Sequence, residues 1–154
     1  MQSTQLRYIV ALLLTSLPLT GCQTTGNAGL ITSSVTTELT AEAAAAIAGD
    51  LVGRLAEQVG PGGATIQLQT DGTAFGQALE ASLKGGGYAV VTDQKTEGGA
   101  MVAVAYTIDG LQGNVIARLS MPSLELTRIY QLGANGAVPI SPLSVMHRSA
   151  GHSG

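Results

Sequence analysis

Apolar residues recur every third or fourth position between residues 41 and 59, which is the spacing of one face of a helix. Thr40 stands where its hydroxyl can cap the first turn, and the glycine-rich run at 60–63 ends the pattern. The sequence therefore predicts a helix over 41–59, whose apolar stripe packs into the protein's own core. The repeating apolar positions are Ile47, Leu51, Leu55 and Val59.

A second helix is predicted over residues 73–85, where Phe75 and Leu79 share one face. Thr73 and Asp71 are both residue types that cap a helix, and the sequence leaves the choice between them open.

Alternating apolar and polar positions predict six strands around and after these helices. Residues 100–109 are apolar on both faces, so this strand is expected at the centre of the sheet. Pro122 should interrupt the sheet after the next strand. The predicted strands cover residues 64–69, 88–91, 100–109, 115–121 and 123–132, with a short edge strand near 143–146.

A helix buries its apolar stripe only against another element, so both helices should pack on one small mixed sheet. The predicted fold class is therefore α+β, with one folded domain over residues 39–146. Residues 22–38 are small and polar without a helical or sheet period, which is typical of a flexible tether. Residues 147–154 are expected to form a disordered tail.

Residues 1–21 carry the three parts of a secretory signal peptide. Arg7 supplies an early positive charge, residues 8–19 are largely apolar and uncharged, and small residues close the segment. The apolar run is shorter than the about 20 residues that span a bilayer. The sequence therefore predicts that residues 1–21 are a signal peptide that is removed.

The end of this segment, Leu19-Thr20-Gly21-Cys22, resembles a bacterial lipobox. The resemblance implies that Cys22 becomes the first mature residue and carries a diacylglycerol group and an N-acyl chain. A single acyl chain holds a protein on a membrane only reversibly, whereas several chains hold it stably. Gln23 follows in place of the aspartate that signals inner-membrane retention, which favours the periplasmic face of the outer membrane. The alternative is a plain signal peptide with an incidental cysteine.

Charge and cysteine usage exclude several classes of function. Without residues 1–21, six Lys or Arg and ten Asp or Glu remain, a formal charge of −4. The basic residues form no cluster that would displace counterions from phosphates, so no nucleic acid is expected as a partner. Cys22 is the only cysteine, and its acylation leaves no thiol for a disulfide or a thiolate metal site.

No set of residues has the spacing of a catalytic or cofactor-binding site. The glycines match neither GxGxxG nor a phosphate-binding loop. The scattered carboxylates have no histidine nearby to complete a triad, and His147 and His152 have no further metal ligand near them in sequence. The sequence therefore predicts a protein that is not an enzyme and holds no cofactor or metal, apart from the lipid on Cys22.

Arg128 and Tyr130 stand two positions apart on a predicted strand, so their side chains should project from the same face. Arginine and tyrosine are enriched at binding hot spots. The pair is therefore a candidate partner-binding site. The alternative is an arginine that stacks on the neighbouring tyrosine within the fold.

The chain resembles the TrbH family of conjugal transfer lipoproteins from plasmid mating systems. The resemblance rests on the lipobox at 19–22, the alanine-rich first helix, the segment from Phe75 to Val90 and the strand segment from Thr127 to Tyr130. It implies a structural component of a conjugative type IV secretion apparatus, present as a multi-copy ring. The implied partners are outer-membrane lipid and the core subunits of the channel.

A second, shorter resemblance concerns the pattern FGxALExxLxxxGY, which runs from Phe75 to Tyr88. This pattern is similar to small βα domains of the secretin N-terminal type. The resemblance implies a domain in which two helices pack on a small mixed sheet, as the hydrophobic pattern also predicts.

A free-standing periplasmic envelope lipoprotein that binds peptidoglycan or a small ligand is the alternative function. Such a protein needs a pocket lined by aromatic or paired polar groups. One phenylalanine and four tyrosines, of which Tyr8 lies in the signal peptide, offer little surface for stacking on a sugar.

Overall fold

The structure, a computed structural model, describes residues 32–92 and 101–148. The predicted signal peptide, Cys22, most of the predicted tether and His152 lie outside these residues. The helices are α1 (Ala41–Val59) and α2 (Ala74–Gly85). The strands are β1 (Ser34–Val35), β2 (Thr65–Leu68), β3 (Ala89–Val91), β4 (Met101–Leu111), β5 (Asn114–Ser120), β6 (Leu124–Gly133), β7 (Gly136–Pro139) and β8 (Ser144–His147).

Helix α1 has the limits that its sequence predicts, because both ends are set by local chemistry. The Thr40 hydroxyl accepts a hydrogen bond from the Ala43 N–H at 3.2 Å and satisfies a donor of the first turn. At the other end Gly60 has a φ of +85°, a conformation that glycine adopts without steric cost. Its N–H donates to the Ala56 carbonyl at 2.9 Å.

Helix α2 begins with Thr73 as its cap, and Asp71 has a different role. The Thr73 hydroxyl accepts a hydrogen bond from the Gly76 N–H at 3.3 Å. The same hydroxyl donates to Asp71 Oδ1 at 2.6 Å, and the Thr73 N–H donates to that oxygen at 3.1 Å. Asp71 therefore orients the capping residue instead of capping the helix itself.

The strands form one mixed sheet in the order β3-β2-β4-β5-β6-β7, in which β1 adds to β4 and β8 adds to β6. Strands β1, β2, β3 and β4 pair in parallel, and the pairs from β4 to β8 are antiparallel. Strand β4 pairs with β2, β1 and β5, so the predicted central strand is confirmed. The α+β class, with two helices on a mixed sheet, is also confirmed.

A two-residue turn joins β4 to β5. Leu111 pairs with Asn114, and the residues between them, Gln112 and Gly113, have φ values of +47° and +83°. Positive φ at both central residues is the geometry of the hairpin turn that matches the twist of antiparallel strands. The sequence predicts a turn over residues 110–114, and the structure confirms it but shortens it to Gln112 and Gly113, because Gly110 and Leu111 still belong to β4.

Both helices pack on one face of the sheet, and this layer contains the hydrophobic core. Helix α1 supplies Ile47, Leu51 and Leu55, all 0% exposed, so this part of its apolar stripe is intramolecular as predicted. Val59, the last predicted member of the stripe, is 54% exposed, because the helix ends there beyond the core. The sheet supplies alternate residues of its central strands, among them Val104, Tyr106, Ile108, Val115, Ala117, Leu119, Leu126 and Tyr130. Neither α1 nor α2 is long and apolar enough to cross a membrane.

Three boundaries differ from the prediction. Residues 34–35, predicted in the tether, form β1 and pair in parallel with Thr107 and Ile108 of β4. The predicted tail begins at 147, but His147 is an exposed residue of β8, and the Arg148 N–H donates to the Ser123 carbonyl at 2.9 Å. Strand β7 was not predicted, since four residues with a terminal proline are too short to show alternation.

Candidate functional site

The pleat of β6 sets the direction of the two residues that the sequence singles out. Leu124 and Leu126 lie in the core beneath helix α1, and side chains two positions apart point to the same face. Arg128 and Tyr130 therefore also point toward α1. Tyr130 is 0% exposed, and the Arg128 side chain is 16% exposed.

Both side chains meet Asp50, which lies at the middle of α1. The Arg128 Nη1 atom donates to Asp50 Oδ2 at 2.9 Å and to Oδ1 at 3.1 Å. The Tyr130 hydroxyl donates to Asp50 Oδ2 at 2.7 Å. The Arg128 Nε atom donates to the Ser141 carbonyl at 3.0 Å, which ties the segment after β7 to the same group. We call Asp50, Arg128 and Tyr130 the Asp50 cluster.

Burial and charge keep the Tyr130 hydroxyl protonated. Burial raises the pKa of Tyr130 well above its ordinary value, and the hydrogen bond to Asp50 and the negative charge of Asp50 raise it further. The hydroxyl is therefore a neutral donor to a carboxylate that Arg128 also compensates. This pairing satisfies polar groups beneath the helix and links α1 to β6 across the core.

Arg128 and Tyr130 share one face of β6, as the sequence predicts, and this face lies against the core and not at an exposed surface. Their side chains are engaged within the fold, and they meet through the Asp50 carboxylate. Nothing in the spacing of the sequence by itself singles out Asp50 as the residue that joins them. Its signal in the sequence is a carboxylate three positions after the buried Ile47, at the border of the apolar stripe.

A second polar cluster joins the start of α2 to the central strand. The Tyr106 hydroxyl donates to the Asp71 carboxylate and accepts a hydrogen bond from the Asp71 N–H at 3.2 Å. The Tyr106 ring meets the Phe75 ring edge to face, with 5.0 Å between the ring centroids. Gly76 leaves room for the Tyr106 hydroxyl. A Cβ at residue 76 would clash with that hydroxyl and would lie 2.6 Å from Thr70 Oγ1.

This second cluster predicts a loss of stability in acid. Burial by itself raises the pKa of Asp71, but hydrogen bonds from Thr73 and Tyr106 outweigh it and lower the pKa below its ordinary value of 3.8. The unfolded chain therefore takes up the Asp71 proton at a higher pH than the folded chain does. We expect the free energy of unfolding to decrease as the pH falls below 3.8, measured by urea titrations on either side of that pH.

The variants Asp71→Asn and Tyr106→Phe test the origin of this acid dependence. Asp71→Asn should remove the part of the acid-induced decrease in the free energy of unfolding that comes from Asp71. Tyr106→Phe should make that part smaller, because one of the two hydroxyl donors to the carboxylate is lost. A full acid dependence in Asp71→Asn would show that other carboxyl groups are responsible.

Metal binding and sugar binding each need a particular set of side chains. No three His, Cys, Asp or Glu side chains among residues 32–92 and 101–148 converge so that they could hold a metal ion. An open groove of about 500 Å³ lies beside Ala46 and is otherwise lined by residues 131–138. Its lining contains no aromatic and no charged side chain, so it does not resemble a sugar-binding site.

Comparison with known proteins identifies the family. The family model described as "Conjugal transfer protein TrbH" matches residues 25–149, which includes every element of the fold. The chain belongs to the TrbH family. The "Probable conjugal transfer protein TrbH" of Sinorhizobium fredii (strain NBRC 101917 / NGR234) is 52% identical over 136 residues, which cover 85% of this chain and 91% of the relative.

These comparisons confirm the resemblance to the TrbH family that the sequence motifs indicate. No solved structure matches the chain. The likeness to secretin N-terminal domains therefore stays a prediction.

Proposed function

We propose that this TrbH-family protein is a lipid-anchored structural component of a conjugative type IV secretion apparatus. In this proposal acylated Cys22 holds the chain in the outer membrane, and the folded domain docks on core subunits of the channel in the periplasm. The observation that carries the proposal is the extended similarity to a protein named as a probable conjugal transfer protein.

The position of the first strand supports a role close to the membrane. Twelve residue steps separate Cys22 from Ser34, the first residue of β1. A chain of that length spans at most about 40 Å even when fully extended. An anchor at Cys22 would therefore keep the domain within that distance of the lipid, where many copies could bind a ring of subunits with high avidity.

The two polar clusters support a structural role over a catalytic one. The Asp50 carboxylate accepts hydrogen bonds from Arg128 and Tyr130, and the Asp71 carboxylate accepts hydrogen bonds from Thr73 and Tyr106. Groups held in this way stabilise the contact between helices and sheet. For either carboxylate to act as a general base, it would instead have to lie within hydrogen-bond reach of a proton on a substrate.

Affinity purification of the tagged protein from detergent-solubilised membranes of mating cells tests this function. We expect channel core subunits to be recovered together with the tagged chain. An unrelated outer-membrane lipoprotein with the same tag is the control and should recover none of them.

Recovery of the tagged chain alone would contradict docking on the channel. Sedimentation with insoluble peptidoglycan provides the complementary measurement. Strong co-sedimentation without channel subunits would favour the alternative of a free-standing envelope lipoprotein.

A further inference from the structure

The face of the sheet opposite the helices carries a contiguous apolar strip. Ile116 of β5 pairs with Ile129 of β6, and the Ile140 N–H donates to the Ile129 carbonyl at 2.9 Å, so three isoleucines lie side by side. Val138 of β7 lies in the neighbouring row, opposite Gln131. We call this side of the sheet the open face, and Ile116, Ile129, Val138 and Ile140 the strip.

The strip is not part of the core. Val138 and Ile140 are 58% and 51% exposed, and Ile116 and Ile129 are half-buried by their neighbours in the sheet. Among the described residues, no helix lies over this side of the sheet. Isolated apolar residues on a surface are ordinary, whereas a contiguous apolar patch marks an interaction site.

The charges around the strip are balanced, unlike those of the rest of the chain. The open face carries Asp109, Arg118 and Glu125, and Arg148 reaches it from the end of β8. Glu125 forms ion pairs with both arginines, at 3.3 Å from Arg118 Nε. These two acidic and two basic residues cancel, whereas the other charged residues that the structure describes, six acidic and three basic, carry a formal charge of −3.

This balance favours a second copy of the chain as the occupant. Two chains that approach through their acidic surfaces bring like charges together, whereas two open faces meet without net repulsion. A strongly basic partner would instead be drawn to the acidic remainder of the surface. In a two-fold contact the same patch of both copies meets, so the patch has to be complementary to itself. An apolar strip between balanced charges meets this requirement.

The edges of the sheet are poorer sites for self-association. On one side Pro139 ends β7, and Pro142 precedes β8. Proline cannot donate to a further strand and is a common way to protect a sheet edge. On the other side β3 has only three residues. Pairing through the faces is therefore favoured over pairing through the edges.

We propose that two copies of this protein pack open face to open face, with strip against strip. Sheets that pack in this way lie about 10 Å apart with nearly aligned strands. This contact is separate from the docking on channel subunits, and it does not depend on that function.

Cysteine cross-linking of the full-length protein in membranes tests the contact. A bis-maleimide that spans about 10 Å, the spacing of packed sheets, should link Ile129→Cys into a dimer. Gln58→Cys is the matched control, because residue 58 is exposed on α1, on the opposite side of the domain. The unaltered chain, whose only cysteine is Cys22, shows whether Cys22 itself forms cross-links. Equal dimer yield from Ile129→Cys and Gln58→Cys would overturn the proposal.

A charge placed in the strip provides the second measurement. We expect the detergent-solubilised full chain to have the protein mass of two copies by light scattering, and Ile129→Asp to have the mass of one. Val59→Asp, at a residue that is 54% exposed on α1, should leave the dimer intact. Circular dichroism should show that Ile129→Asp remains folded, since Ile129 lies outside the core. A dimer that persists in Ile129→Asp, or a wild-type chain that is a monomer, would overturn the proposal.

These outcomes are distinct from those of the affinity purification. A dimer without channel subunits would support the contact between copies and contradict the docking. Recovery of channel subunits with a monomeric chain would support the docking and contradict the contact between copies. Cross-links from Ile129→Cys to a channel subunit instead of a second copy would assign the open face to that subunit and overturn the dimer.

Discussion

Cys22→Ser is expected to abolish the incorporation of labelled palmitate and to leave residues 1–21 attached to the chain. A lipoprotein signal peptidase acts on an acylated cysteine, and the serine hydroxyl does not replace the thiol in that modification. Each buried methylene contributes about 0.8 kcal/mol to membrane binding, so loss of the acyl chains that we propose for Cys22 should remove the lipid anchor. Palmitate labelling and the intact mass of the purified protein are the measurements.

The retained signal peptide could hold the variant at the membrane, so membrane fractionation alone does not decide this prediction. Thr20→Ala is the matched control, because it preserves a small residue before the cysteine and should still be acylated and processed. Palmitate labelling that persists in Cys22→Ser would contradict the assignment of Cys22. Absence of labelling in the unaltered protein would favour the plain signal peptide with an incidental cysteine.

Asp50→Ala is expected to lower the free energy of unfolding by about 2–4 kcal/mol. The substitution leaves the Tyr130 hydroxyl without its acceptor at a position that is 0% exposed. It also leaves Arg128 with only the Ser141 carbonyl as a hydrogen-bond partner in the cluster. The partial exposure of the Arg128 side chain, 16%, keeps the expected loss below that of a fully buried ion pair. Urea denaturation followed by circular dichroism measures the effect.

Glu57→Ala provides the matched control on the same helix. The Glu57 carboxylate accepts a hydrogen bond from Arg54 at 2.7 Å, but its side chain is 56% exposed. Exposed ion pairs of this kind contribute about 0–1 kcal/mol, so this variant should stay close to the unaltered protein. Similar losses in Asp50→Ala and Glu57→Ala would contradict a structural role for the Asp50 cluster.

A double-mutant cycle of Asp50 and Tyr130 separates the contribution of the Tyr130 hydrogen bond from that of Arg128. Tyr130→Phe removes the hydroxyl and its need for an acceptor, so it should lower the free energy of unfolding by only about 1 kcal/mol. In the variant that combines Asp50→Ala with Tyr130→Phe, no buried hydroxyl remains unpaired. The free energy of unfolding should therefore fall by less than the sum of the two single decreases.

The inward direction of Arg128 and Tyr130 changes where a partner should be sought. A pair of hot-spot residue types on one strand face indicates a binding site only if that face is exposed. In this fold the face beneath α1 is the core, and the exposed side of β6 carries Ile129 instead. Variants that test the contact between two copies therefore belong on the open face.

Helix limits and strand positions could be predicted because they depend on neighbours in sequence. The Thr40 cap and the positive φ of Gly60 act within one turn of α1, and a 3.6-residue period is visible along a single segment. The centrality of β4 could also be predicted, since a strand with apolar residues on both faces is typical of the centre of a sheet.

Strands β1 and β7 could not be predicted, because their stability comes from pairing and not from composition. Residues 34–35 look like a polar linker until their pairing with Thr107 and Ile108 is known. Strand β7 likewise exists through its ladder to the end of β6. Such short segments gain their hydrogen bonds only when the rest of the sheet is already in place.

The α+β class, the limits of α1, the order of the main strands and the resemblance to the TrbH family all follow from the sequence alone. The tertiary structure decided which side of β6 is the core, and it brought Asp50 to residues 78 and 80 positions away. It also decided that three isoleucines from separate segments lie side by side on the open face. The physical reason is that a strand's period shows which side chains share a face, but only packing against α1 decides which face is buried.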